Sequence, residues 1–282
     1  MEFRVNTHGE GRLKTLVCIS TERGQEVASV LVMGRREAVL IDAQWTLANA
    51  LRVTAEILET GLDLKAIYTT HAHPDHYFGI AHIAEYFPNA RLLALPEVSR
   101  VVNRQFYDKL DYWEPKIGRN NVCTKTAQLE PLAEPYIELE GERIEILPNF
   151  MGDLKYNSVV HIPSIKTLYG SDVLFNQAHM FTCEIDAEGR RAWAADIDRL
   201  AAMDVDVYIP GHAKPGMPFD DAALKFTKDY LLATEEAIEM THTAAEFYYY
   251  MWRRFPQANY LDSNEMNAEV YKGGRVWDWE ET

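Results

Sequence analysis

Thr70-His71-Ala72-His73-Pro74-Asp75-His76-Tyr77-Phe78-Gly79 is the stretch on which the reading of this chain turns. Three histidines and one aspartate fall within six residues, at His71, His73, Asp75 and His76. The apolar run Leu64 to Thr70 before it reads as a buried strand, and Ile80 to Phe87 after it carries apolar residues at helical spacing. The histidines therefore occupy a strand-to-helix turn. In extended chain, residues two apart point the same way, so His71 and His73 can approach one ion from one side. Pro74 stiffens the turn and bars an early helix. Asp75 and His76 then offer a second donor set at the start of the next helix. A lone histidine is most often structural; four ligand-type side chains in six residues point to a bound metal.

Upstream, Leu13 to Ser20, Val27 to Met33 and Ala38 to Ile41 read as strands, the last two joined by Gly34-Arg35-Arg36. Asp42 ends the third strand. It reads either as a group bracing the metal loop or as a turn or helix-capping acid. Ala48 to Thr60 is an amphipathic helix stopped by Gly61. Arg91 to Leu95 completes a strand-helix-strand-helix-strand succession, which implies a sheet covered by helices. Residues 96–130 are less regular. Glu97 to Leu110 suits a helix, with Tyr107, Tyr112 and Trp113 near it.

Strand grammar returns at Tyr136 to Leu139 and Arg143 to Leu147, around a Gly141-Glu142 turn. Gly152-Asp153 lies in the next loop, before strands Val159 to Ile162 and Thr167 to Tyr169, the latter ending in Gly170-Ser171-Asp172. Trp193 to Met203 reads as a helix and Val205 to Ile209 as a short buried strand, ending in Pro210-Gly211-His212. Phe219 to Phe255 is mostly helical, and its aromatic run Phe247 to Trp252 suits a core or subunit contact. The polar segment 256–282 gives no pattern.

The histidine stretch resembles the His-x-His-x-Asp-His signature of the metallo-β-lactamase superfamily. The resemblance extends over about residues 27–215. Asp42 matches a strand-ending aspartate of the family, with Gln44 where glycine is common. Pro210-Gly211-His212 matches the final Gly-His motif. One position departs: most members have a histidine after the glycine where this chain has Asp153. The resemblance implies an α/β (α+β) αββα sandwich, two mixed sheets flanked by helices, in a single domain over 1–282. It also implies a cleft-lining insertion at 96–130 and a C-terminal helical extension at 219–282. His71, His73 and Asp153 would hold one metal, Asp75, His76 and His212 a second, and Asp172 would bridge them. Two zinc ions per chain are expected, and the oxygen-rich first site would also suit manganese or iron. Asp75 and Asp172 are the candidate catalytic carboxylates. His161 and His179 are alternative donors, and His179, Lys155 and Tyr156 are candidate substrate contacts.

Composition narrows the partners. Asp and Glu outnumber Lys and Arg, 43 to 28, giving a formal charge of −15. That opposes binding to nucleic acid or to an anionic membrane surface. A small molecule is the expected partner, with a homo-oligomer through the C-terminal aromatic helix. Cys18, Cys123 and Cys183 are odd in number and lack CxxC spacing, so reduced thiols are expected. Met1 to Arg12 is polar and has no apolar signal core, and the expected location is cytoplasmic.

The expected function is a dinuclear metal-dependent hydrolase attacking an ester, lactone, thioester or lactam. An iron-dependent oxidoreductase or dioxygenase of the same fold, or a non-catalytic ligand-binding member, are the alternatives. With a hydroxide present, a third carboxylate at 153 brings a two-cation site to formal neutrality. That weakens attraction for anionic substrates and favours uncharged esters or lactones.

Overall fold

The computed structural model describes residues 2–6, as backbone, and 11–277. The chain opens with β1 (Glu2–Asn6), β2 (Lys14–Ile19), β3 (Ala28–Met33), β4 (Glu37–Ile41), α1 (Leu47–Thr60) and β5 (Asp63–Thr69). Two short helices, α2 (Pro74–Tyr77) and α3 (Ile80–Ala84), follow the histidine turn. Next come β6 (Arg91–Ala94), α4 (Pro96–Ile117) and the two-residue β7 (Glu130–Pro131). The second half comprises β8 (Tyr136–Leu139), β9 (Glu142–Phe150), β10 (Asn157–Ile162), β11 (Thr167–Asn176), α5 (Ala187–Ala201), β12 (Val207–Ala213), α6 (Ala222–Met240), α7 (Ala244–Arg254) and α8 (Leu261–Lys272).

The strands form two mixed sheets. One runs β1 to β7 in sequence order, antiparallel through β4 and parallel from β4 to β7. The other runs β12-β11-β10-β9-β8, with only the β11–β12 pair parallel. Between the sheets pack Val17, Val30, Val39, Ile41 and Tyr68 from one and Ile144, Ile146, Val160, Tyr169 and Ile209 from the other. The outer face of the first sheet is covered by α1, α3 and α4 through Val53, Ile57, Ile83, Val98, Val102 and Phe106. The outer face of the second is covered by the later helices through Trp193, Ile197, Tyr230, Phe247 and Met251. The result is the four-layer αββα sandwich. Central strands buried on both faces explain why Val39–Ile41 and Ala66–Tyr68 are continuous apolar runs and do not alternate.

Local chemistry sets the element ends. Thr46 caps α1, its hydroxyl accepting from the Asn49 amide, and Gly61 closes the helix at φ 68°. Thr243 and Glu246 form a reciprocal capping box that separates α7 from α6.

Four features depart from the sequence expectation. The strand expected to stop at Tyr169 continues to Asn176, through a register irregularity at Gly170-Ser171-Asp172 with Ser171 at φ 47°. Helix α4 continues past Leu110 to Ile117, with Pro115 in its last turn. The segment after 256 holds α8, whose polar residues Ser263, Asn264 and Asn267 are buried; hydrogen bonds from Asn264 and Asn267 offset that burial, so no apolar stripe marks the helix. The aromatic run on α7 divides: Phe247 and Met251 enter the core, whereas Tyr249 and Trp252 are 60% and 42% exposed and face outward. No described helix is long and apolar enough to cross a membrane.

Candidate functional site

The C-terminal edge of β5 carries the histidine turn. The backbone amide and hydroxyl of Thr70 both donate to the Asp42 carboxylate, at 2.9 and 2.9–3.1 Å, which ties the end of β5 to the end of β4. His71 and His73 follow with ring centroids 5.0 Å apart. Pro74 takes the first position of α2, and Asp75 and His76 occupy its single turn. Asp153 comes from the β9–β10 loop and Asp172 from the irregular part of β11. His212 comes from β12.

These seven side chains form two groups. His71, His73, Asp153 and Asp172 make one; Asp75, His76, Asp172 and His212 make the other, and Asp172 belongs to both. In each group the donor atoms lie within 4.8 Å of one another. His76 Nε2 is 3.1 Å from Asp172 Oδ1, and His212 Nε2 is 3.2 Å from both Asp75 Oδ2 and Asp172 Oδ2. Asp153 reaches the first group unevenly, 2.9 Å from His73 Nδ1 but 4.0 Å from His71 Nε2. All seven are buried; His73 and Asp75, at 8% and 7% exposure, are the two that open most to solvent.

Fixed partners set which imidazole atom faces inward. His76 Nδ1 donates to Asp42 Oδ2 at 2.7 Å, and His212 Nδ1 donates to the Gln25 carbonyl at 2.6 Å, so each presents Nε2 to the carboxylates. The His212 ring is stacked between Phe175 and Tyr260, with interplanar angles of 8° and 11°. Tyr260 adopts φ 60°, a left-handed conformation unusual for a tyrosine. Asp42 therefore braces the site, and the cap of α1 is Thr46 instead. Gln44 takes the left-handed backbone, φ 72°, that glycine adopts readily. Its buried amide makes up for this by donating to Val27 O and Ser29 Oγ.

The electrostatics suit cations. Burial and the neighbouring His76 charge push His71 down to about 4, leaving a neutral ring with a free lone pair. Burial pushes the Asp153 carboxyl up to about 7. Burial opposes the charged form of His212 too, but Asp172 and Asp75 outweigh it and raise the ring to about 10. His71 Nε2, His76 Nε2 and Asp172 Oδ1 are buried and make no well-directed hydrogen bond, although the last two lie 3.1 Å apart. Orphaned acceptors and carboxylates converging on two points are what a pair of divalent ions would satisfy, so the donor set fits metal.

The site opens into a cleft of about 810 Å³. Its floor includes His73, Asp75, Asp153, Asp172 and His212. One wall is α4, through Lys109, Trp113 and Lys116. The other is α8 and the segment after it, through Met266, Arg275 and Trp277.

Four expectations are corrected. His179 is fully buried, with Nδ1 3.0 Å from the Tyr230 hydroxyl, and does not line the cleft. Lys155 is exposed and lies over the ring of its neighbour Tyr156, and neither reaches the cleft. His161 on β10 pairs with Glu145 on the adjacent β9 and joins neither donor group. In their place the structure brings up Glu184, the Gln25 carbonyl, Tyr260 and Trp277. A single acid in a loop and a backbone carbonyl carry no sequence signal, and Tyr260 and Trp277 lie in the stretch without pattern.

Comparison with known proteins agrees with this fold. A model of the metallo-β-lactamase superfamily matches residues 22–139. The DIM-1 metallo-β-lactamase is 21% identical with a TM-score of 0.58, covering 82% of this chain and 98% of its own. A metallo-β-lactamase from Pontibacter korlensis is 18% identical with a TM-score of 0.60, covering 82% and 99%. A metallo-β-lactamase family protein from Thermus thermophilus is 20% identical with a TM-score of 0.65, covering 92% of each chain. No curated protein matches the sequence significantly.

Proposed function

The chain has the metallo-β-lactamase superfamily fold, and from that premise we propose that it is a dinuclear, zinc-dependent hydrolase of uncharged esters or lactones. The observation that carries this reading is the pair of buried donor groups sharing Asp172, with three inward-facing atoms lacking any other partner. His71, His73 and Asp153 would hold one ion, and Asp75, His76 and His212 the other, with Asp172 available to both. Two divalent ions, once bound, would supply an acidified water and a Lewis acid for the carbonyl. The chain's own part is orientation and proton transfer. Asp75, at the mouth of the site and 3.2 Å from His212, takes the proton released by the attacking water and returns it to the leaving oxygen. Asp42 and the Gln25 carbonyl hold two imidazoles in place beforehand, so little reorganisation accompanies the reaction.

Charge in the cleft supports an uncharged substrate. Arg23, Lys109, Lys116 and Arg275 are matched by Glu22, Asp262, Glu265 and Glu269, and the floor adds Asp153 to the usual carboxylates. Trp45, Trp113, Phe181 and Trp277 supply apolar surface for an acyl or aryl group. The three cysteines are free, and Cys18 and Cys123 are buried, which suits a reducing, cytoplasmic setting.

Elemental analysis of protein purified without chelator should give two zinc per chain. Rates on an acyl lactone, an aryl ester, a glutathione thioester and a β-lactam then test the substrate. Iron with oxygen consumption would replace the hydrolase reading by an oxidoreductase. Faster turnover of the anionic thioester or β-lactam would overturn the charge argument alone.

A further inference from the structure

His73 is the one histidine of the cluster whose outer nitrogen is held by a side chain that the sequence pattern does not mark. Glu184 lies between β11 and α5, with its side chain 7% exposed. Its Oε2 is 3.1 Å from His73 Nε2 and 2.8 Å from Trp277 Nε1. The indole can only donate, and a carboxylate oxygen accepts from both. His73 Nε2 therefore carries a proton toward Glu184, while Nδ1 faces Asp153, 2.9 Å away. Rings lock this arrangement from the side. Phe181 meets His73 edge-on at 5.9 Å, Trp277 meets Phe181 at 5.2 Å, and Trp277 also meets Tyr112 of α4 at 5.8 Å.

We propose that Glu184 is the positioning residue for His73, fixing the ring so that Nδ1 faces the ion of the first donor group, and that Trp277 holds Glu184 in place. This rests on the reading that the group binds a cation. A buried carboxylate oxygen needs partners, and Oε2 has two, a ligand-type histidine and the indole N–H of the segment after α8. The metal floor and the segment after α8 are thereby joined through one oxygen atom. A histidine without such a partner can present either nitrogen, and its ring is free to turn, which weakens a metal site without removing a ligand.

The test is zinc binding to the full chain, titrated in competition with a chromogenic chelator, for wild type, Glu184→Ala, Glu184→Gln and Trp277→Phe. Nitrogen-15 spectra of the imidazoles report which His73 nitrogen carries the proton, a readout that mere loss of packing would not move. Glu184→Ala should weaken one zinc step about 10–100-fold and leave the other unchanged. It should also give His73 a mixed tautomer signal. Glu184→Gln keeps an acceptor oxygen and should recover most of the loss. Trp277→Phe keeps an aromatic ring, removes one of the two donors to Oε2, and should weaken the same step by a smaller factor. If Glu184→Ala does not fold, the other two variants decide the matter. Wild-type affinity and an unchanged His73 signal in Glu184→Ala, or in both other variants, overturn this inference while leaving the hydrolase reading intact. Wild-type protein that binds no zinc overturns the metal reading itself, and this inference with it.

Discussion

Asp42 and His76 are 34 residues apart in sequence and 2.7 Å apart in space, buried and joined through Oδ2 and Nδ1. The same carboxylate also accepts from the Thr70 amide and hydroxyl and from the Tyr169 hydroxyl. One side chain thus satisfies donors from both sheets and from the histidine turn.

Asp42→Ala should therefore cost about 3–5 kcal/mol, because it strands several buried donors at once. Asp42→Asn should fold more stably than the alanine variant yet still release metal from the Asp75, His76 and His212 group. Urea melts and metal content measured together check both statements.

Asp153→Ala tests the one position that departs from the family pattern. Asp153 lies beside His73 and within reach of His71, so its removal should drop metal content from two ions toward one. The loss of activity should exceed the about 10–100-fold typical of residues that only brace a ligand. Unchanged metal content would show that Asp153 is no ligand.

Gly211 precedes His212 where β12 passes Asp172. A Cβ there would lie 2.3 Å from Asp172 Oδ1 and 2.4 Å from the Ser171 carbonyl oxygen. Gly211→Ala should cost about 3 kcal/mol or more and disturb the shared aspartate. Gly216→Ala is a control for position: its Cβ meets nothing within 4 Å, though φ 95° adds local backbone strain. Thermal melting and metal content together should separate a variant that loses metal from one that is only less stable.

His179 gives a pH-dependent prediction. Burial lowers it from 6.5 to about 4, so the native state refuses a proton that the unfolded chain takes up below pH 6.5. Stability should rise with pH from about 4 to 6.5 and gain nothing further from this residue above that. Its share is at most about 3 kcal/mol. The difference in urea stability between wild type and His179→Asn, followed from about pH 4.5 to 7 across that window, isolates it. A difference that does not vary with pH would reject the assignment.

The layers of the fold and the donor set were legible because they rest on local pattern. Continuous apolar strands, Thr46 and Gly61 at helix ends, and the clustered His71 to His76 each announce themselves within a few residues. Asp172 and His212 were found through short strand-ending motifs, although Gly170-Ser171 concealed that β11 runs on. What stayed hidden depends on contacts between distant segments. His212 takes its orientation from the Gln25 carbonyl, 187 residues away, and His73 from Glu184, 111 residues away. Helix α8 escaped notice because its buried face is polar and is satisfied by specific partners such as Met180 O and Tyr248 O. His179, placed near the site by its spacing from Asp172, fits as well as a neutral core residue against Tyr230.

Tyr260 stacking on His212 has a consequence for synthesis on the ribosome. The Tyr260 side of the aromatic sandwich around that imidazole, and the Trp277 end of the cleft, come from residues translated after both sheets. A nascent chain can pair its two sheets and gather most of the histidines while still tethered. It cannot finish the cleft until Tyr260 and Trp277 have emerged. An emerging chain would be a poor catalyst and a loose holder of metal, and a chain held with only its first part exposed, short of Tyr260, would display both sheets without the completed pocket.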